Sequence, residues 1–356
     1  MGRFSRSHPL DNAAIAELLA DLSGKKKYPL QKALRRASRR AFLWPEEAAH
    51  IHASGRSLTE LTGVGPHLER IIRAWLDDPP PVPEAPAIRA GFLTIPGARA
   101  ILAREPAWAR RLRGDLQTHS EWSDGSGTIA EMAAAAADRG YEYLAITDHA
   151  QSLKIAGGID ATQLRRQALE IDAINAALAT AGQQTRVLRS IELNLNPQGE
   201  GDMPADALAG LDIVLGCFHS ALRKKEEQTE RYVKALHNPA IQILGHPRGR
   251  IYNFRLGLTA DWPRVFDVAA ELDKALEIDA YPDRQDLNID LLRLAKRAGC
   301  RISIGTDAHG PTQLAFIELG LAAALAAGIA ADRIVNFLTR SELGAWVTGV
   351  RAALTN

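Results

Sequence analysis

Along the first 76 residues the apolar positions recur at helical spacing. Ile15, Leu18, Leu19 and Leu22 make one stripe, Leu30, Ala33, Leu34 and Ala37 a second, and Leu68, Ile71, Ile72 and Trp75 a third. Intervals of three and four line one face of an α-helix, so a bundle of short helices is predicted for residues 1–76. The stretch Asp77 to Pro86, DDPPPVPEAP, then places five prolines in ten residues. Proline fixes φ and donates no backbone N–H, which predicts an extended, stiff connector within a Pro/Ala-rich linker over 77–109. Over 110–356 the pattern changes to β-prone runs separated by helical segments. The runs are Tyr143–Thr147, Val187–Leu193, Ile213–Phe218, Ile241–Leu244, Leu276–Asp279 and Arg301–Gly305; Ala161–Ala181, Asp286–Ala298 and Phe316–Ala327 read as helices between them. Strand-then-helix alternation predicts a parallel α/β architecture, either barrel or doubly wound.

Charge divides the chain in the same place. Residues 1–76 carry 13 Lys and Arg against 7 Asp and Glu, so a small basic module precedes a mildly acidic one. That is the footprint expected of a polyanion-binding module. The first ten residues lack the apolar core of a secretory signal, and the chain has no run of eighteen apolar residues, so a cytoplasmic protein without membrane contact is expected. The two cysteines, Cys217 and Cys300, lie in apolar runs and read as buried thiols.

In the larger segment, apolar runs repeatedly end at a side chain able to bind metal. GDLQTH ends at His119, LAITDH at His149, GCFHS reaches His219, ILGHP gives His246, SIELN contains Glu192, and GTDAH supplies Asp307 and His309. One His after a strand is usually a cap or a turn residue. Repetition at one topological position is different, because the C-terminal ends of parallel strands in a barrel share one pocket. Mixed imidazole and carboxylate suits zinc, manganese or iron rather than calcium. Several such ions about 3.5–4 Å apart favour hydrolysis of phosphate esters without a covalent nucleophile.

The blocks GDLQTHSEWSDG, YLAITDHA, SIELN, GCFHS, ILGHPRGR and GTDAH resemble the successive motifs of the PHP (polymerase and histidinol phosphatase) domain family, in particular the C-terminal exonuclease domain of bacterial X-family DNA polymerases. The resemblance spans about residues 110–350 and implies a distorted (β/α)7 barrel with three divalent ions. It places Gln117, His119, Glu192 and Asp307 around one ion, Glu192, His219 and His246 around a second, and Asp124, His149 and His309 around a third. Glu192, His219 and Asp307 would then be central to catalysis. Gln117 departs from the pattern, since most family members have His there, and an amide oxygen is the weaker ligand. Arg248, Arg250 and Arg284 are candidates to grip the phosphate, Arg250 and Arg284 also as catalytic groups, because a guanidinium forks onto phosphate oxygens.

In the basic module, LTELTGVGPHLERIIRAWL (Leu58 to Leu76) reads as a helix, a turn at Gly63, Val64 and Gly65, and a second helix from Pro66. This resembles a helix-hairpin-helix, which binds the DNA backbone without reading sequence, with Gly63, Val64, Gly65, His67, Arg70, Arg35 and Arg39 as expected contacts. Residues 8–76 are also similar to the small N-terminal domain of X-family polymerases. The position matching its Schiff-base lysine is Ile71, which excludes that lyase chemistry. The interval before the barrel is too short for a nucleotidyltransferase domain, so DNA synthesis is not expected. The resulting expectation is a metal-dependent phosphoesterase acting on DNA as a 3′-to-5′ exonuclease or 3′-end phosphodiesterase in repair. A small-molecule phosphomonoesterase of the histidinol-phosphatase type is the alternative.

Overall fold

A computed structural model describes residues 10–354. The chain divides into two compact units between Ala100 and Ile101.

The first unit is helical. Helices Asn12–Gly24, Leu30–Ala41, Ala48–Ala53 and Pro66–Asp77 follow one another, with a single 3₁₀ turn at Leu58–Glu60. Their apolar stripes meet in a core that includes Ile15, Leu19, Leu34, Trp44, Ile51, Leu58 and Ile72. The helix expected at the start of the hairpin is shorter than its sequence suggested. The Leu58 N–H and the Ser57 hydroxyl both donate to the Glu69 carboxylate, at 2.9 Å each, which closes the turn before a full helix can form. The Pro-rich stretch is indeed without helix or strand, yet it stays with this unit, because Arg89 pairs with Glu17 and the Ile95 N–H reaches the Phe42 carbonyl. Two helices, Ile95–Leu102 and Pro106–Ala109, occupy part of the expected linker. Pro96 and Pro106 lie in their first turns, where a missing N–H costs nothing.

The second unit contains eight strand segments: β1 (Gly114–Thr118), β2 (Tyr143–Ile146), β3 (Arg186–Arg189), β4 (Glu192–Asn194), β5 (Leu215–Cys217), β6 (Ile243–Leu244), β7 (Ala275–Asp279) and β8 (Arg301–Gly305). All pair in parallel, in the orders β1-β2-β3 and β4-β5-β6-β7-β8. The two sheets are joined at both edges. Glu192 at the start of β4 bonds to Asp148 and Ala150 beyond β2, and His119 and Asp307 exchange bonds with Ala308 and Gln117 between β1 and β8. β3 and β4 are therefore one strand broken at Ser190 and Ile191, and the unit is a seven-strand barrel with a helix after each strand. β1 lacks the β-prone composition of the other strands because Asp115, Gln117 and Thr118 make it polar, although all three are buried. The helix Arg340–Ala353 packs Leu343, Trp346, Val347 and Val350 against Tyr143, Ile213 and Ala275 at strand entrances, sealing the end opposite the strand C-termini.

Lys274, just before β7, is fully buried with its ammonium on the Asn238 carbonyl. Burial pushes its pKa down from 10.5 to about 7. Between those values the unfolded chain binds a proton that the folded chain does not, so stability rises with pH across this window. Lys274→Met should therefore raise the melting temperature, by roughly 5 °C at pH 6 and by less at pH 9. Thermal unfolding at both pH values checks this; an equal shift at both would remove the buried ammonium as its cause.

Candidate metal centre

β1, β2, β4, β5, β6 and β8 each deliver a polar side chain to the same mouth. His119 follows β1, His149 follows β2, Glu192 opens β4, His219 follows β5, His246 follows β6, and Asp307 and His309 follow β8. Glu192 is at the centre with no exposed surface. Its Oε1 lies 2.9 Å from His219 Nε2 and 2.8 Å from His246 Nε2, and its Oε2 lies 3.3 Å from both His119 Nε2 and His149 Nδ1. Asp307 Oδ1 is 3.0 Å from His119 Nε2, and Asp124 Oδ1 is 3.2 Å from His309 Nε2 and 3.5 Å from His149 Nε2.

The three groups inferred from sequence come together but overlap more than expected. His119 also stands with Asp124, His149 and His309, its ring stacked at 4.4 Å on both of the latter imidazoles. His149 faces Glu192 through one nitrogen and Asp124 through the other. Cys217, expected to be a plain buried thiol, joins Glu192 and His246. Burial and the Glu192 and Glu277 carboxylates push that thiol well above its usual range, which keeps it protonated.

The donor set fits divalent metal. Four imidazoles around one buried carboxylate cannot all carry protons, and among the described residues the buried Nδ1 atoms of His119 and His246 have no hydrogen-bond partner. Burial pushes the His149 pKa down to about 4 despite Glu192, leaving a neutral ligand-ready ring. His119 behaves oppositely: burial opposes its charge, but Asp307 and Glu192 hold its pKa well above the usual value. A cation bound there displaces that proton. Glu192 is likewise desolvated, yet the surrounding imidazoles hold it well below the usual carboxylate range. The backbone shows the strain common at working sites, since His246 and Asp307 have φ of 24° and 53°, in the left-handed region.

Gln117 is fully buried beside this cluster. With its amide oriented so that nitrogen donates to both oxygens of Glu277, at 2.7 and 3.0 Å, the amide oxygen is turned toward Glu192. Glu277 was not singled out in the sequence, nor was Asp279. Both are on β7 in the run LEID, where their spacing of two puts them on one face of the strand, the signal that could have found them. Gly305 makes room for this pair: a Cβ there would meet Glu277 Oε1 at 2.4 Å and Gln117 Cβ at 2.5 Å. Asp148, next to His149, holds the loop that carries Asp124 by accepting bonds from Ser120, Ser123 and Gln167.

The arginines separate. Arg284 reaches the centre, its Nε 3.3 Å from Asp307 Oδ2 and 3.7 Å from Asp279 Oδ2, with 29% of its side chain open to solvent. Arg250, expected to grip phosphate, is instead buried and donates its Nε–H to the Arg284 carbonyl, bracing the loop that presents Arg284. Arg248 is half-buried and donates to the Leu256 carbonyl.

In the first unit, Gly63, Gly65, His67, Arg70, Arg35 and Arg39 are exposed. Val64 corrects the expected contact set: it is buried, and its N–H is committed to the Leu61 carbonyl, so it has none to offer a phosphate. Gly63 has φ of 88°, and a Cβ there would meet Arg40 Cδ at 2.9 Å, so the hairpin turn lies directly under the arginine-bearing helix.

A parallel barrel whose strand ends converge on a buried His/Asp/Glu cluster defines a metal-dependent phosphoesterase. The PHP domain family profile matches residues 115–306, more than half of the chain, and this chain belongs to that family. It is 37% identical over 238 residues to "DNA polymerase/3′-5′ exonuclease PolX" of Bacillus subtilis, a match covering 67% of this chain and 41% of that relative, so the chain spans less than half of its length. It is 27% identical over 240 residues to a protein named a probable phosphatase from Thermoanaerobacter sp. strain X514, covering 62% of this chain and 89% of the relative. Among solved structures, a histidinol phosphate phosphatase from Lactococcus lactis, complexed with zinc, L-histidinol and phosphate, aligns with a TM-score of 0.45 and 17% identity, over 61% of this chain and 94% of that one. No helix among the described residues is long and apolar enough to cross a membrane.

Proposed function

We propose that this protein hydrolyses phosphodiesters at DNA ends, as a 3′-to-5′ exonuclease or 3′-end phosphodiesterase in DNA repair. The observation that carries the reading is the pairing, in one chain, of a phosphoesterase barrel with a basic helical unit. That unit's glycine turn lies beneath an arginine-bearing helix, and Arg35, Arg39 and Arg70 are exposed on it. A metabolite phosphatase has no use for such a unit. The name of the B. subtilis relative supports the same reading.

Three divalent ions, zinc, manganese or iron, held by Gln117, His119, Asp124, His149, Glu192, His219, His246, Asp307 and His309 would supply Lewis acidity toward water and the phosphate oxygens. Glu192 keeps four imidazoles turned inward, and Arg284 offers a guanidinium to phosphate at the edge of the cluster. His67, Arg70, Arg35 and Arg39 would hold the DNA backbone through charge, with binding that weakens as salt rises.

The test is manganese-dependent hydrolysis of 5′-labelled single-stranded and recessed DNA, alongside histidinol phosphate, by the wild type and His219→Ala. Stepwise shortening from the 3′ end, lost in the variant, supports the reading. Intact DNA with rapid, His219-dependent phosphate release from histidinol phosphate would overturn it in favour of a small-molecule phosphatase.

A further inference from the structure

Phe254 is 56% exposed, an unusual position for a phenyl ring, and it is not on a loose tip. Ile251 and Arg255 pair across its turn with bonds of 2.8 and 3.0 Å, and the Phe254 N–H returns to the Ile251 carbonyl. The Arg255 Nε–H donates to the Gly249 carbonyl, while the neighbouring Tyr252 is buried with its N–H on the Asp283 carbonyl. One face of the ring is covered by the Arg223 guanidinium, 4.7 Å from the centroid. The pinned loop therefore holds out an aromatic face backed by a cation.

The placement ties this ring to the metal centre. Arg223 is four residues beyond His219 and Phe254 eight beyond His246, so both leave strand ends that carry cluster residues. Asp283, which anchors the loop, precedes Arg284, whose guanidinium touches Asp307. Arg255 is half-buried; burial and then the like charges of Arg284 and Arg223 push its pKa down. Arg284 is offset by Asp307 and Asp279, whereas Arg255 faces two like charges, so this part of the rim favours a bound polyanion.

We propose that Phe254, backed by Arg223, is a stacking platform for a nucleobase of single-stranded DNA entering the barrel, with Arg255 and Arg284 facing its phosphates. The proposal rests on the DNA reading above and adds a grip on the strand supplied by the barrel itself. Stacking on an aromatic ring tolerates any base, which suits an enzyme that removes nucleotides in succession.

The experiment uses the full chain with manganese. It compares 5′-labelled oligothymidylate with an oligonucleotide of equal length whose last three nucleotides are abasic. Phe254→Ala should raise KM for oligothymidylate about tenfold with little change in kcat. It should leave KM for the abasic substrate unchanged, and Phe254→Trp should restore the wild-type value. Anisotropy titration of the labelled oligothymidylate should show the same order of affinities. Equal loss on both substrates, or no loss on either, overturns the platform alone. Cleavage of neither oligonucleotide by the wild type, with histidinol phosphate hydrolysed, removes the DNA reading and the platform together.

Discussion

Glu192→Gln should reduce phosphodiester hydrolysis by well over about 100-fold and remove most of the bound metal, while leaving the barrel folded. Residues that merely orient metal ligands already cost about 10–100-fold when replaced, and Glu192 touches the cluster directly. Its two oxygens meet His119, His149, His219 and His246, all within 3.3 Å. The amide has the same shape but half the acceptors and no charge. Its NH₂ would face imidazole nitrogens that a metal requires as lone pairs. Metal content by elemental analysis, beside circular dichroism and the rate, checks this. A variant that keeps its full metal complement and rate would remove Glu192 from the centre of the site.

Asn194→Ala should weaken metal binding by about 10–100-fold through His219 alone. The Asn194 amide is oriented without ambiguity, because Nδ2 donates to the Ala150 carbonyl at 3.0 Å and to Asp202 Oδ2 at 2.8 Å. Its Oδ1 must then accept the proton of His219 Nδ1, at 2.6 Å. That fixes the tautomer in which His219 Nε2 presents its lone pair toward Glu192 Oε1, 2.9 Å away. Asp202 completes the brace by also accepting from the Ser152 N–H and hydroxyl. Asn194→Asp should fail as well, since its second oxygen would face the Ala150 carbonyl and the Asp202 carboxylate. Competition with a chromophoric chelator measures the affinity. Unchanged affinity with a raised KM would instead assign Asn194 to the substrate.

The large-scale plan was legible because it depends on local rules. Arg301–Gly305 was read as a strand to the residue and Ala161–Thr180 as a helix to within one, since β-branched alternation and capping are written in adjacent residues. The strand ends that carry the His and carboxylate cluster were legible for a similar reason: each His or carboxylate stops an apolar run. Their assignment to three separate groups was less legible. Which nitrogen of His119 or His149 faces which carboxylate depends on ring packing between loops that are far apart in sequence. The three arginine candidates, Arg248, Arg250 and Arg284, alike in the sequence, are distinguished by their surroundings in the fold, which bury Arg250 beneath the loop and leave Arg284 at the cluster.

By itself the sequence determined the helical first unit, the parallel strand-helix alternation of the second and the residue types at its strand ends, because periodicity and strand-end chemistry are properties of neighbouring residues; the barrel was implied by the resemblance to PHP domains. Only the tertiary structure decided that Glu192 is the common partner of four imidazoles, that Glu277 stands behind Gln117, that Val64 turns inward and that Phe254 is held out beside Arg223. Those outcomes depend on distance and burial between segments up to 160 residues apart, as with Gln117 and Glu277. In such contacts desolvation and steric fit, rather than local propensity, determine the arrangement.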